Sequence, residues 1–248
     1  MARNLDQYSD SYRNHPFEII QARYRKKCVI ESIMKYPHRT VVEVGCGSDS
    51  LVNHFTDFDR WFIIEPASLF FQQAVHDIDK NTRIKEKVLI VNGMVEEVRE
   101  LPFIPDMIIV SGLLHEIEKP ESLLLRLSNL CALHTVIHFN VPNAKSFHRL
   151  LAKEAGLIKD LHEISASQIS LQQHHTYDIE SLSHLVNEYG FNVIDNGSYF
   201  FKPFTHKQMQ QLVDIKLIDD NMLEGFYLIT KYFPENGSEF FLNCKKSN

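Results

Sequence analysis

The sequence has no paired cysteines and no long apolar run. None of its four cysteines falls in a C-x-x-C pair, and their scatter disfavours both a zinc module and a disulfide scaffold. No apolar run approaches the roughly 18 residues that a membrane span needs, and no apolar stretch follows Met1–Asp6 as a secretory signal would require. We therefore expect a soluble, cytoplasmic protein without a membrane partner.

Positive charge is also scarce. The 26 Lys and Arg residues are outnumbered by 32 Asp and Glu residues, which gives a formal net charge of -6. Binding of nucleic-acid phosphates needs a concentrated positive surface, so the composition disfavours a nucleic-acid partner. The basic run over residues 23–27 (RYRKK) is short, and we interpret it as a solvated helix face.

Apolar runs alternate with helical patterns from residue 40 to about residue 142. Hydrophobic residues make up 44% of the chain, enough for a sizeable core. The alternation predicts an α/β fold with a parallel, doubly wound sheet. The first five predicted strands are Thr40–Val44, Trp61–Ile64, Val88–Val91, Met107–Val110 and Thr135–Phe139.

The pattern weakens after the fifth strand, over residues 157–176, before regular elements return. Two further strands are predicted over Phe191–Ile194 and Glu239–Cys244. The predicted helices are a short one at Leu51–Phe55, then Ser68–Asp79, Glu121–Cys131, Ser146–Ala155, one capped by Asp178 and running through Tyr189, and one capped by Thr205 and running through Ile215.

One strand-to-helix turn carries the strongest functional signal. Glu43 lies on the first strand, Gly45-Cys46-Gly47 follows, and Asp49 and Ser50 open the next element. Glycines at such a turn let the backbone approach a ligand closely. The turn is not the pyrophosphate fingerprint G-x-G-x-x-G, since Ser50 occupies the place of the third glycine.

This turn resembles the first motif, (D/E)-x-G-x-G-x-G, of the class I S-adenosylmethionine (SAM) methyltransferases, with Asp49 in place of the last glycine. The resemblance implies a seven-stranded sheet with an antiparallel last strand, and SAM as cofactor with S-adenosylhomocysteine as product. It also implies an N-terminal helical lid over residues 1–37 and a core over residues 38–248. Within the core, an insert at about 143–177 and an extension at about 198–248 would shape the acceptor pocket.

The spacing and the resemblance together predict the cofactor site. Glu65 ends the second strand about 20 residues beyond the turn, where a carboxylate accepts hydrogen bonds from ribose hydroxyls. Met94 stands where the family carries an adenine-binding Asp, and it would pack on the adenine ring instead. The predicted cofactor-binding residues are Tyr12, Arg23, Glu43, Gly45, Cys46, Gly47, Ser50, Glu65, Pro66, Gly93, Met94, Val95, Ser111 and His115.

Histidines are the predicted bases for methyl transfer, because imidazole exchanges protons near neutral pH. His115 follows the fourth strand, and the pair His174 and His175 precedes the helix at Asp178. A resemblance to segments of the family also predicts three substrate-binding residues, Asn140, Asn143 and Tyr177. No His-Glu-x-x-His motif or carboxylate cluster is present, so no metal is predicted.

The resulting prediction is metal-independent methyl transfer from SAM to a small-molecule acceptor by a monomer or homodimer. By analogy with bacterial members, the acceptor would be a hydroxyl of a sugar, of a nucleotide-linked intermediate or of a surface-polysaccharide precursor. Alternatives are N-methylation of a small-molecule amine, and a non-catalytic SAM- or nucleotide-binding protein, which the departures at Asp49 and Met94 motivate. An NAD-dependent enzyme is a further alternative, although the turn is wrong for it and no Tyr-x-x-x-Lys pair is present.

Overall fold

The computed structural model describes residues 16–247, with only the backbone at residues 166 and 167. The strands are β1 (Thr40–Val44), β2 (Arg60–Ile64), β3 (Val88–Val91), β4 (Met107–Ser111), β5 (Val136–Pro142), β6 (Phe191–Tyr199) and β7 (Glu239–Lys246). The helices are α1 (Pro16–Ile33), α2 (Ser68–Lys80), α3 (Pro120–Leu130), α4 (Phe147–Glu154), α5 (Ala166–Ser170), α6 (Ile179–Glu188), α7 (His206–Asp214) and α8 (Asp220–Leu228). None of these described helices is long and apolar enough to cross a membrane.

The seven strands form one sheet in the order β3-β2-β1-β4-β5-β7-β6. The first five strands are parallel, while β7 runs antiparallel between β5 and β6. The predicted α/β fold with an antiparallel last strand is therefore confirmed. The chain order reverses between β1 and β4, and such a switch point leaves a crevice beyond the carboxyl ends of the strands.

Each central strand is apolar on both faces because helices cover both faces of the sheet. Along β4, Met107 and Ile109 pack with α1 and α2, whereas Ile108 and Val110 pack with α3 and α6. Side chains alternate along a strand, so a continuous apolar run supplies both cores at once. A third apolar cluster joins α1 to α7 and α8.

The structure departs from the predicted elements at a few places. The predicted short helix after β1 is a 3-10 turn over Leu51–His54. Strand β6 runs on to Tyr199, because antiparallel pairing with β7 resumes at Asp195 after a register shift and continues to the end of the strand. Helix α8 was not predicted. Its first turn is capped by Asp219, whose side chain accepts from the Met222 N–H at 2.8 Å.

Candidate active site

A cleft with a volume of about 1510 Å³ lies at the carboxyl ends of the central strands. Its floor comes from the segments that follow β1, β2, β3 and β4, and α1 forms one wall. These segments meet because parallel strands end at the same edge of the sheet. Eleven of the predicted cofactor residues line it: Arg23, Glu43, Gly45, Cys46, Gly47, Glu65, Pro66, Gly93, Met94, Val95 and Ser111.

The Glu65 carboxylate accepts hydrogen bonds from the backbone of the glycine turn after β1 and fixes its conformation. Gly45 and Gly47 have φ of +78° and +57°, a left-handed backbone that glycine adopts without strain. Glu65 Oε2 accepts from the Cys46 and Gly47 N–H groups at 2.9 and 3.2 Å, and Oε1 accepts from the Ala67 N–H at 2.8 Å. A Cβ on Gly47 would meet open space, so the turn leaves room for a ligand directly against the backbone.

Glu43 supports the same turn from inside the sheet. Its Oε2 accepts from the Ser50 hydroxyl at 2.6 Å and from Trp61 Nε1 at 3.1 Å, and its Oε1 accepts from the Leu51 N–H at 2.9 Å. Burial raises the pKa of Glu43 to about 7, although these three hydrogen bonds lower it. Ser50 is buried with Glu43 and does not line the cleft. Both residues shape the turn that lines the cleft.

The wall predicted to face adenine is apolar. Met94 is 46% exposed and lines the cleft beside the buried Val95. The Met94 N–H donates to Glu97 Oε2 at 3.3 Å, so it is already engaged. A flexible thioether suits contact with a flat ring, and the carboxylate that the family places here is absent.

Helix α1 carries a run of cationic residues along the cleft. Our interpretation of residues 23–27 as a solvated helix face is wrong for Arg25. Arg25 is largely buried and bonds both oxygens of Glu239, through Nε at 2.7 Å and Nη2 at 2.5 Å. Lys26 pairs with Asp49 of the glycine turn. Arg23, the predicted contact for the cofactor carboxylate, lines the cleft but pairs with the exposed Asp220 at 3.2 Å.

The structure separates the three predicted catalytic histidines. His174 is exposed and lines the cleft, whereas His115 is buried behind the lining, with Nε2 at 3.7 Å from Glu116 Oε1. The His115 carbonyl accepts from the N–H groups of both His174 and His175, which ties the insert to the loop after β4. The His175 ring stacks on Tyr177 with centroids 5.6 Å apart.

The predicted substrate residues have structural partners. Asn140 is completely buried and donates to the Tyr199 hydroxyl at 2.9 Å. Asn143 donates to the carbonyls of Glu235 and Gly237 and accepts from the Lys145 N–H. Neither asparagine lines the cleft, and nor does Tyr177, which is itself buried. Tyr12, predicted to contact the cofactor, lies outside the described residues.

Sequence reasoning missed several groups that the fold brings to the cleft. Glu18, Arg25, Lys26 and Glu116 all line it. The signal for the α1 residues was present in their spacing, because Glu18 and Arg25 lie seven residues apart and so share one helix face. Glu239, which binds Arg25, lies 214 residues away in the sequence, and no local pattern could have paired the two. Among residues 16–247, no group of three His, Cys, Asp or Glu residues is placed to hold a metal ion.

Comparison with known proteins agrees with this geometry. A family model described as a methyltransferase domain matches residues 19–196. No curated protein matches the chain in sequence. Among solved structures, the [4+2]-cyclase SpnF aligns with a TM-score of 0.63 and 11% identity, over 90% of this chain and 80% of that one.

Two solved methyltransferases are also similar in structure. A SAM-dependent methyltransferase of Thermotoga maritima, described as a possible histamine N-methyltransferase, aligns with a TM-score of 0.60 and 13% identity, over 99% of this chain and 97% of its own. An O-methyltransferase from neocarzinostatin biosynthesis was solved with SAM and 2-hydroxy-5-methyl naphthoic acid. It aligns with a TM-score of 0.51 and 14% identity, over 83% of this chain and 48% of its own. At these identities the likeness shows the fold alone. The family match covers most of the chain, which therefore belongs to the methyltransferase-domain family as a class I SAM-dependent methyltransferase.

Proposed function

We propose that the cleft holds SAM and presents its methyl group to a hydroxyl of a small molecule. The acceptor that we propose is a sugar, a nucleotide-linked intermediate or a surface-polysaccharide precursor. One observation carries the cofactor part of the proposal. The left-handed turn at Gly45 and Gly47 and the Glu65 carboxylate meet in one cleft at the carboxyl ends of β1 and β2.

Each part of the cleft suits one part of the cofactor. The uncovered backbone at Gly47 suits the methionine moiety, and Lys26 and Arg23 on α1 offer cations for its carboxylate. Glu65 Oε1 accepts one hydrogen bond from the described residues, so it keeps capacity for a ribose hydroxyl. Met94 and Val95 offer an apolar surface for adenine. Bound SAM would supply an activated methyl group on a sulfonium centre.

The protein then has two tasks, to align the acceptor oxygen and to remove its proton. A positioned base contributes roughly 10²–10⁴-fold to such a step. His174 is the proposed base, because of the three candidate histidines it is the one that lines the cleft. Its backbone N–H is fixed on the His115 carbonyl at 2.8 Å, which holds the residue beside the loop after β4. The His174 imidazole would accept the hydroxyl proton as the acceptor oxygen takes the methyl group, and S-adenosylhomocysteine would leave with the electron pair of the broken sulfur–carbon bond.

An amine acceptor is the second candidate, and the charge of the cleft favours it. Seven carboxylates line the cleft against four Lys or Arg side chains. A surplus of negative charge attracts a cationic ligand and raises its local concentration. An amine would have to lose its proton before attack, which is a task for the same base.

A methyl-transfer assay with tritium-labelled SAM tests the proposal. Neutral monosaccharides, nucleotide sugars and small amines are offered separately, and labelled product is counted. We expect transfer to a hydroxyl compound, and at least a 100-fold loss of turnover in His174→Gln. His184→Gln, an exposed histidine on α6, is the matched control and keeps full turnover. Transfer to amines alone would overturn the hydroxyl assignment, and full turnover in His174→Gln would overturn the base.

A further inference from the structure

Four charged side chains lie close together beside the cleft, two of them in its lining, and none of them was predicted to bind a ligand. Glu18 and Arg25 come from α1, Glu239 begins β7, and Lys202 follows β6. Arg25 Nη2 bonds Glu18 at 3.0 Å and Glu239 at 2.5 Å. The Tyr199 hydroxyl donates to Glu239 at 2.6 Å. We call Glu18, Arg25, Lys202 and Glu239 the inner cluster.

Lys202 is the unexplained member of the inner cluster. Its side chain is buried, with 5% of the residue exposed, and it makes no hydrogen bond or ion pair within the described part of the chain. Burial lowers its pKa to about 8, although the negative charges of Glu18 and Glu239 raise it. A largely buried ammonium with no acceptor among the described residues favours a bound molecule that offers acceptor oxygens.

One neutral side chain beside Lys202 also carries a buried polar atom that lacks a partner. His148 Nδ1 is buried without a hydrogen bond among the described residues, and the nearby charge of Lys202 adds to the burial that lowers the pKa of this histidine. Asn140 is instead used by the fold, because its Nδ2 donates to the Tyr199 hydroxyl and its side chain also contacts the buried His138. Buried polar atoms are normally paired, so an unpaired nitrogen beside a buried lysine is typical of a polar binding site.

The inner cluster is continuous with the proposed cofactor cleft. Glu18 and Arg25 line the cleft themselves. A Cβ on Gly112, directly after β4, would lie at an ordinary contact distance of 3.9 Å from Arg25 Cδ, so the Arg25 side chain packs beside the loop that ends β4. A molecule held by the cluster would thus reach the cleft where Ser111 and Gly112 line it.

We propose that the inner cluster binds the methyl acceptor and that the acceptor is a neutral polyhydroxylated compound. This inference rests on the proposed function and names its acceptor class. A hydroxyl both accepts and donates hydrogen bonds, so one hydroxyl can accept from Lys202 while its own proton is donated to Glu18. Lys202 and Arg25 repel an amine, which would also leave the ammonium without an acceptor. Glu18 and Glu239 repel a carboxylate or phosphate.

Calorimetric titration of the protein saturated with S-adenosylhomocysteine tests the inference. The probes are myo-inositol and methyl glucoside as neutral polyols, with ethanolamine and acetate as charged compounds of each sign. We expect the polyols to bind the wild type, and to bind Lys202→Met and Glu18→Gln about 10-fold more weakly, since each substitution removes a charge-assisted hydrogen bond. Lys231→Met and Glu100→Gln, at exposed positions, are the matched controls and keep wild-type affinity.

The outcomes separate this inference from the proposal on which it rests. Failure of S-adenosylhomocysteine to bind the wild type would overturn the cofactor proposal itself. If S-adenosylhomocysteine binds but neither polyol does, or if the variants bind the polyols as well as the wild type, the acceptor site is not the inner cluster. Preferential binding of ethanolamine or acetate would overturn the neutral class. Unchanged affinity of the variants for S-adenosylhomocysteine shows that they are folded.

Discussion

At the scale of single residues, the buried carboxylates of Glu65 and Glu43 together fix the conformation of the glycine turn after β1. Glu65 lies at the ligand side and holds the N–H groups of Cys46 and Gly47, whereas Glu43 lies beneath and holds Ser50, Leu51 and Trp61. Burial raises the pKa of both. A glycine turn in the left-handed conformation has few intrinsic preferences, and these fixed acceptors define its shape.

Glu65→Ala is expected to weaken SAM binding about 10- to 100-fold. The substitution removes an acceptor for the ribose hydroxyls and leaves the turn amides without their partner, and hydrogen bonds to a charged group contribute roughly 1.5–3 kcal/mol each. Calorimetric titration with SAM measures the effect. Glu96→Ala removes another carboxylate that lines the cleft but is exposed, and it serves as control. Unchanged SAM affinity in Glu65→Ala would rule out the ribose contact.

Glu43→Gln is expected to lower the free energy of unfolding by about 1–3 kcal/mol at pH 5, because both oxygens of the protonated carboxyl can still accept from Leu51, Ser50 and Trp61, whereas the amide nitrogen of Gln cannot accept. Urea unfolding can be followed by the fluorescence of Trp61, the single tryptophan. Because the folded pKa of Glu43 lies near 7, above the ordinary 4.5, the stability that it contributes is full below pH 4.5 and is lost as pH rises through 7. Glu43→Gln should not lose this stability as pH rises. An equal loss of unfolding free energy in both proteins would contradict the raised pKa of Glu43.

At the scale of elements, α1 is joined to the sheet by a buried ion pair as well as by apolar contacts. Arg25 of α1 binds Glu239 of β7, while Phe17 and Tyr24 pack with α7 and α8. A buried pair adds little stability in itself, but loss of one partner leaves an uncompensated charge. The position of α1 over the cleft therefore depends on a residue that begins the last strand.

Arg25→Leu is expected to cost about 3–5 kcal/mol of unfolding free energy, because Glu18 and Glu239 then lose their shared guanidinium in a buried site. Arg23→Leu, two residues earlier on the same helix, breaks an exposed pair with Asp220 and a 3.3 Å hydrogen bond to the Tyr24 hydroxyl, and should cost less than about 1 kcal/mol. Chemical denaturation of the two variants side by side measures the difference. Equal losses would show that the buried pair does not secure the helix.

Asp178 caps the start of α6, and we expect its carboxylate to make the protein less stable as pH falls into the acid range. Burial raises its pKa, but hydrogen bonds from Ser181 and Lys145 outweigh burial and hold the pKa at about 2. The stability gained is full above the ordinary value of 3.8 and is lost as pH falls through 2. The advantage of the wild type over Asp178→Asn in urea unfolding should therefore shrink below pH 4. A constant difference would contradict the low pKa. Asp178→Ala should lose about 1 kcal/mol more through the missing cap.

Elements with a strong local pattern could be predicted, and those defined by distant partners could not. The continuous apolar run of β4 and the capping residues Asp178 and Thr205 define their elements locally. The outer part of β6 is a strand because β7 pairs with it. Residues 195–198 are Asp, Asn, Gly and Ser, all at least partly exposed, so the sequence carries no strand signal there.

At the scale of the whole molecule, the residues that line the proposed cofactor side of the cleft could be chosen from the sequence, and those of the proposed acceptor side could not. The glycine turn, Glu65 and Met94 lie in the first half of the chain, close to the strands that carry them, and they meet in one cleft. The inner cluster combines α1 with Lys202 and Glu239, more than 170 residues further along the chain. Predicted substrate residues such as Asn140 and Asn143 are instead used by the fold.

The central claim is that the cleft is built for SAM, and a calorimetric titration of the purified wild-type protein tests it most directly. SAM, S-adenosylhomocysteine and NAD are titrated in parallel under the same conditions. We expect micromolar binding of the two adenosyl ligands and none of NAD, because the turn has Ser50 where a pyrophosphate fingerprint needs glycine. Binding of NAD, or no binding of either adenosyl ligand, would contradict it.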